Sequence, residues 1–226
     1  MKAPSASRDG TPATSQSATG RAITQIKGMI LSGAIPTGGT LNEEALSQEL
    51  GLSRTPIREA LQVLQTQGFV RIERYRGATV TGLDMRDVHE LFDVRIALER
   101  HCIAEAMSSG DALDLSTMRA AIEGHEAALA AGGADAMERA IECDRMFHFS
   151  ILGLHDNHRL NEILENAWDQ VVRCSWQIMH RHPVQADSLR EHSAVLAALE
   201  AGDSDAALAA SRAHLRSALR RTVLVD

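Results

Sequence analysis

Two groups of residues in this chain of 226 amino acids have types and spacings that could do chemistry. The first lies in SRTPIREAL, residues 53–61. If that stretch is helical, Arg54, Thr55 and Arg58 fall on its opening turn and one turn later, opposite Ile57, Ala60 and Leu61. An arginine can pair bidentately with guanine O6 and N7, so Arg54 and Arg58 are candidates for reading base edges, with a solvated helix face as the competing reading. Arg74, Arg76 and Gly77, in RYRG, would place cations and bare backbone at a hairpin tip, where phosphates or a minor groove can be approached. The second group begins with Asp144 and His148 in CDRMFHF. Four residues apart, they share one helix face and can offer a carboxylate and an imidazole to one ion, although such a pair alone is a weak signal. His192 in LREHSAVLAAL and His214 in SRAHLRSAL stand in separate later segments, each among apolar neighbours at helical spacing.

Arg95 is a further candidate. It lies in a segment whose apolar stripe reads Leu91, Val94 and Leu98. Its planar five-donor fork suits a carboxylate, while a pair with Glu99 one turn on is the competing use. Arg145 and Asn166 could also line a cavity, without a basis for ranking them. Of the ten histidines, His89, His101, His125, His155, His158, His180 and His182 share no face with other ligands and read as solvated or satisfied. A metal-dependent hydrolase would need a general base beside a metal-bound water, as in H-E-x-x-H. The chain has no such arrangement: Glu142 and Glu191 lie near the ligands in sequence, but Glu191 directly precedes His192 and is turned about 100° from it on a helix. Catalysis is not expected.

The elements that must position these groups can be read from periodicity. Residues 1–18 are rich in Ser, Thr, Ala, Gly and Pro and form an expected disordered tail. Ile23, Ile26, Ile30 and Leu31 have helical spacing, closed by Gly33 and Pro36. Gly38-Gly39 makes a turn, Asn42 caps a short helix to Leu50, Gly51 breaks it, and Ser53 caps a third helix in whose first turn Pro56 is tolerated. After Gly68 the period drops to two: Val70 and Ile72, then Ala78 and Val80, form a hairpin around RYRG. Helix, helix, turn, helix and hairpin make a winged helix-turn-helix over residues 19–82. Beyond it lie amphipathic segments near 84–108, 112–131, 134–154, 158–181, 186–201 and 203–224, an expected bundle of about six helices over 84–224. The fold class is mainly α.

Composition agrees with a globular protein of this plan, at 44% hydrophobic and 23% charged residues. The net charge of -7 is unevenly divided, since residues 1–83 carry nine Lys and Arg against six Asp and Glu, and the remainder fourteen against 24. A basic module on an acidic partner fits polyanion binding confined to one part. No apolar run is long enough to span a bilayer and the opening residues lack a signal-peptide core, so no membrane association and a cytoplasmic location are expected. Cys102, Cys143 and Cys174 are odd in number and widely spaced, which points to reduced thiols.

The stretch LNEEALSQELGLSRTPIREALQVLQTQGFVRIERYRGATV closely resembles the GntR family of bacterial regulators, and LFDVRIALER, CDRMFHFSIL, LREHSAVLAALEAGD and AHL resemble the helical FCD-type domain of its FadR branch. The resemblance implies a ligand-responsive transcription regulator, a repressor of a metabolic operon, binding pseudo-palindromic double-stranded operator DNA as a homodimer through Arg54, Thr55, Arg58, Arg74, Arg76 and Gly77. It also implies a metal site of Asp144, His148, His192 and His214, holding a divalent transition metal, with zinc ahead of nickel, manganese or iron. Arg95 would then face the cavity and hold a small carboxylate effector.

Overall fold

The computed structural model describes residues 17–74, 77–155, 157–179 and 185–223, with side chains described as far as 172 in the third of these and from 186 in the fourth. The chain divides into two compact units, residues 1–81 and 82–226. The expected tail falls almost wholly outside the described residues.

The first unit runs α1 (Ala18–Leu31), β1 (Thr40–Leu41), α2 (Glu43–Leu50), α3 (Arg54–Thr66), β2 (Val70–Glu73) and β3 (Gly77–Val80). Local signals set the helix ends. The Ser17 side chain accepts from the Gly20 amide at the start of α1. Asn42 accepts from the amides of Glu44 and Ala45, and Gly51 closes α2 in the left-handed conformation at φ 63°, where a side chain would be strained. Ser53 precedes α3 as expected but makes no capping hydrogen bond. Ile26 of α1, Leu46 of α2, Ile57 and Leu64 of α3, and Phe69 are buried in one core with Val70, Ala78 and Val80 of the hairpin, each large side chain contributing roughly 1.5–3 kcal/mol of burial. The hairpin pairs Val70 with Val80 and Ile72 with Ala78. Sequence reading missed β1, which adds to β3 through Thr40 and Thr79 and makes a sheet of order β1-β3-β2. Two residues are too few to show a period.

The second unit consists of α4 (Met85–Ser109), α5 (Ser116–Ala131), α6 (Ala134–Gly153), α7 (His158–Met179), α8 (Gln185–Glu200) and α9 (Ser204–Val223). Asp84 and Asp87 form a reciprocal capping box that starts α4. Helix α5 begins four residues later than its periodicity suggests, because the Asp114 carboxylate accepts from the Ser116 amide and competes with helix formation before it. Helix α5 packs on α6, α8 on α9, and α4 against α9. Phe147, Ile151 and Leu152 of α6 enter one core with Cys102, Ile103, Met118, Leu164 and Val195. The buried stripe of α4 is Val88, Phe92, Arg95, Glu99, Cys102 and Ala106, not the stripe through Val94, which is 40% exposed. A stripe containing two charged residues is invisible to a search for apolar periods.

Candidate metal centre and nucleic-acid surface

Helices α6, α8 and α9 bring Asp144, His148, His192 and His214 together. The α8–α9 connection explains half of this. Gly202, at φ 70°, turns the chain, Asp203 caps α9 through the Ala206 amide, and His192 and His214 each lie eleven residues from Asp203. In an antiparallel helical hairpin, positions equidistant from the turn stand at one height. His192 is fixed further by stacking on Phe147, with ring centroids 3.8 Å apart.

The three imidazoles converge through Nε2. His214 Nε2 lies 3.1 Å from that of His192 and 3.2 Å from that of His148, and Asp144 Oδ1 lies 3.4 Å from His192 Nε2 and 4.0 Å from His148 Nε2. All three histidines are at most 2% exposed. The Nδ1–H of His214 donates to Glu191 Oε2 at 2.8 Å, which leaves its Nε2 as a lone pair aimed at its neighbours. Lone pairs at this separation repel unless a proton or a cation lies between them. Burial lowers the pKa of His148 and His192 well below the usual imidazole value, with the positive charge of Arg95 adding to it for His148 and neighbouring histidines adding to it for His192. A second proton on either ring is therefore disfavoured, and what lies between the Nε2 atoms is either the single hydrogen of a neutral Nε2–H tautomer or a cation. Donors about 2.1 Å from a common ion stand about 3.0 Å apart at right angles and about 3.4 Å apart in a tetrahedron, so the 3.1, 3.2 and 3.4 Å spacings fit a divalent metal while the 4.0 Å between Asp144 and His148 exceeds both. Among the described residues two groups are spaced to hold an ion, His148, His192 and His214, and, sharing His192, His125, Asp144 and His192.

Around these donors sit groups that sequence reading did not assign. His125 of α5, expected to be a bystander, is buried with a ligand atom within 4.8 Å of those of Asp144 and His192. Glu191, passed over as turned from the ion, is turned toward His214 instead. Its carboxylate is held by Arg221, and although burial pushes its pKa up, hydrogen bonds from His214, Arg221 and Ser217 outweigh this and lower it to about 2. Glu99 is fully buried, its Oε1 2.9 Å from His148 Nδ1 but off the axis of a hydrogen bond. Burial raises its pKa to about 7 against the opposing charges of Arg95 and His214.

Arg95 is 2% exposed, with its guanidinium carbon 4.7 Å above the Trp168 ring. The competing reading is present in part: Arg95 Nη2 lies 3.6 Å from Glu99 Oε1, too long for a hydrogen bond. Its Nε and Nη2 have no hydrogen-bond acceptor, an unusual state for buried donors. Arg145 stacks on Phe149 at 4.2 Å and faces Glu165, while Asn166 is exposed. Among the remaining histidines, His89 and His158 are exposed, His101 and His155 meet edge to face, and His180 and His182 lie outside the described residues. Cys102 and Cys143 are free thiols.

In the first unit, Arg54, Thr55 and Arg58 open α3 on its exposed face. Both arginines are engaged by the acidic first turn of α2. Arg54 Nη2 lies 2.8 Å from Glu44 Oε1, and Arg58 makes a two-pronged contact with Glu43, Nε to Oε1 at 3.1 Å and Nη2 to Oε2 at 2.7 Å. The sequence reading singled out neither glutamate. Arg74 follows β2 in the turn, Gly77 opens β3 at φ 84°, and Arg76 lies outside the described residues.

Residues 18–80 match the family of bacterial regulatory proteins, gntR family, and residues 90–217 match the FCD domain. The chain is 28% identical over 191 residues to the HTH-type transcriptional regulator YdhC of Bacillus subtilis, covering 84% of each. It is 41% identical over 86 residues to the gluconate operon transcriptional repressor of Bacillus licheniformis, which is 38% of this chain and 35% of that protein. A solved structure of Escherichia coli McbR/YncC superposes with a TM-score of 0.74 at 23% identity, over 90% of this chain and 95% of that one, a likeness of fold.

Proposed function

This chain belongs to the GntR family of bacterial regulatory proteins and carries the FCD domain; from that premise we propose that it is a metal-dependent, carboxylate-responsive repressor. Transcription regulation through DNA is the family's activity, and the relatives are named as regulators rather than enzymes. The first unit binds operator DNA through Arg54, Thr55, Arg58, Arg74, Arg76 and Gly77. Two copies read a pseudo-palindromic site, because a two-fold protein mirrors paired half-sites. The operon is one of metabolism, and Asp144, His148, His192 and His214 hold a divalent metal, zinc ahead of nickel, manganese or iron.

The observation that carries the sensing role is the convergence of three imidazole Nε2 atoms and one carboxylate in a bundle that also buries Arg95 with donors left over. Bound there, the metal supplies a Lewis-acid position for an anionic oxygen. Arg95 holds the other charge of the effector through its fork, and Trp168 and Phe92 keep that fork flat and dry. A thermal-shift screen of small carboxylates on zinc-loaded protein, with Asp144→Ala beside it, tests the reading. A hit that disappears in Asp144→Ala supports it, whereas identical shifts in both proteins would place the ligand elsewhere.

A further inference from the structure

Glu191 and Arg221 form a hydrogen-bonded assembly behind the metal-facing side of His214, at every step with a well-formed contact. Glu191 Oε2 accepts from His214 Nδ1–H at 2.8 Å. Arg221 grips both oxygens of that carboxylate, Nη1 to Oε1 and Nη2 to Oε2, each at 2.9 Å. The guanidinium is itself fixed by donating to Ser217 Oγ at 2.8 Å and to Ser188 Oγ at 3.1 Å. The participants come from α8 (Ser188, Glu191) and α9 (His214, Ser217, Arg221), and the spacing along α9 is helical, so His214, Ser217 and Arg221 share one face.

We propose that Glu191, clamped by Arg221, is the positioning residue that fixes His214 as its Nδ1–H tautomer and aims its Nε2 at the ion. This rests on the metal reading above and extends it to how the donor is prepared. An isolated imidazole favours neither nitrogen strongly, and a carboxylate can only accept, so a carboxylate at Nδ1 forces the proton there and the lone pair to Nε2. The two-pronged grip prevents the carboxylate from rotating away. The offset of about 100° between adjacent helix positions, which removes Glu191 from the ion, is what lets α8 present His192 to the ion and Glu191 to the back of His214. His148 has no equivalent support, since its Nδ1 meets Glu99 off axis. The last turn of α9, through Arg221, is thereby tied to the donor set.

The experiment uses the full chain, metal-free and zinc-loaded, as wild type, Glu191→Gln, Arg221→Met and Arg221→Lys. Long-range proton–nitrogen NMR on histidine-labelled, metal-free protein reads the His214 tautomer, and competition with a chromophoric chelator reads zinc affinity. The expected result is an Nδ1–H signature in wild type that becomes a mixture in Glu191→Gln, because an amide can donate as well as accept. Zinc affinity should fall about 10- to 100-fold, in line with the loss of other carboxylate supports behind metal-binding histidines. Arg221→Met should show a smaller loss, partly recovered in Arg221→Lys. An unchanged tautomer in Glu191→Gln overturns the proposal, even where the variant melts earlier, for Glu191 is then a structural anchor only. A wild type that binds no zinc refutes the metal reading, and the tautomer comparison still decides the role of Glu191.

Discussion

A guanidinium lying on Trp168, beside a fully buried carboxyl whose pKa is raised to about 7, is a local conflict that no surface residue would create. Its consequence can be isolated at Glu99. A carboxyl whose folded pKa lies above its ordinary value stabilises the fold below that ordinary value and loses the contribution as pH rises through about 7. Glutamine at 99 has no such loss. The stability of metal-free Glu99→Gln should therefore improve relative to wild type between pH 5 and pH 8, measured by urea unfolding at both; a constant difference would mean that Glu99 does not titrate in this window. Arg58 presents a different conflict, since the fork proposed to read bases is already occupied by Glu43. Arg58→Ala should weaken specific operator binding roughly 10- to 100-fold and relax base preference. Glu43→Gln should instead raise affinity for random duplex, because an anion near the phosphates has gone. Competition binding against specific and random duplexes measures both, and equal effects on the two duplexes in Arg58→Ala would remove it from base readout.

At the scale of elements, the helices were legible because their apolar faces repeat for three turns or more and their ends carry Asn42, Gly51, Asp84 and Gly202. The strand β1 was not legible, being two residues that gain their partners only from β3. The four side chains proposed to hold the metal were nameable from a resemblance, and Asp144 with His148 also from spacing. Glu99 and Glu191 were not, because burial or engagement of a charged residue depends on which helices lie opposite, and a stripe interrupted by Arg95 and Glu99 looks like solvent. The α8–α9 hairpin shows how an element sets the site: a disturbed turn shifts His192 against His214. A Cβ at Gly202 would meet no atom within 4 Å, so Gly202→Ala introduces no clash, and the strain of a left-handed alanine, about 1–2 kcal/mol, is relieved as far as the turn can shift. The expected outcome is a small fall in metal-free stability with a several-fold loss of zinc affinity. Undiminished zinc affinity at that cost in stability would show that the hairpin tolerates the change without moving its histidines.

For the whole molecule, the two units are joined functionally only if what binds the second changes how the first binds DNA. That coupling has a thermodynamic form independent of any pathway between them. A carboxylate that weakens operator binding tenfold must itself bind the operator complex tenfold more weakly, a coupling of about 1.4 kcal/mol, and the two measurements must agree. The metal enters the same cycle: zinc at about 1,000 times its dissociation constant should stabilise the fold by about 4 kcal/mol, and chelation should remove that increment. Titrating the effector against zinc-loaded protein, free and saturated with operator, and then titrating operator with and without effector, closes the cycle. If the same titrations after chelation gave the same coupling, the effector would not be read through Asp144 and the three histidines, and Arg95 alone would carry recognition. If coupling vanished with the metal while operator affinity stayed at its effector-free value, the ion would be the part of the second unit through which the carboxylate acts, and the DNA-reading unit would be competent without it.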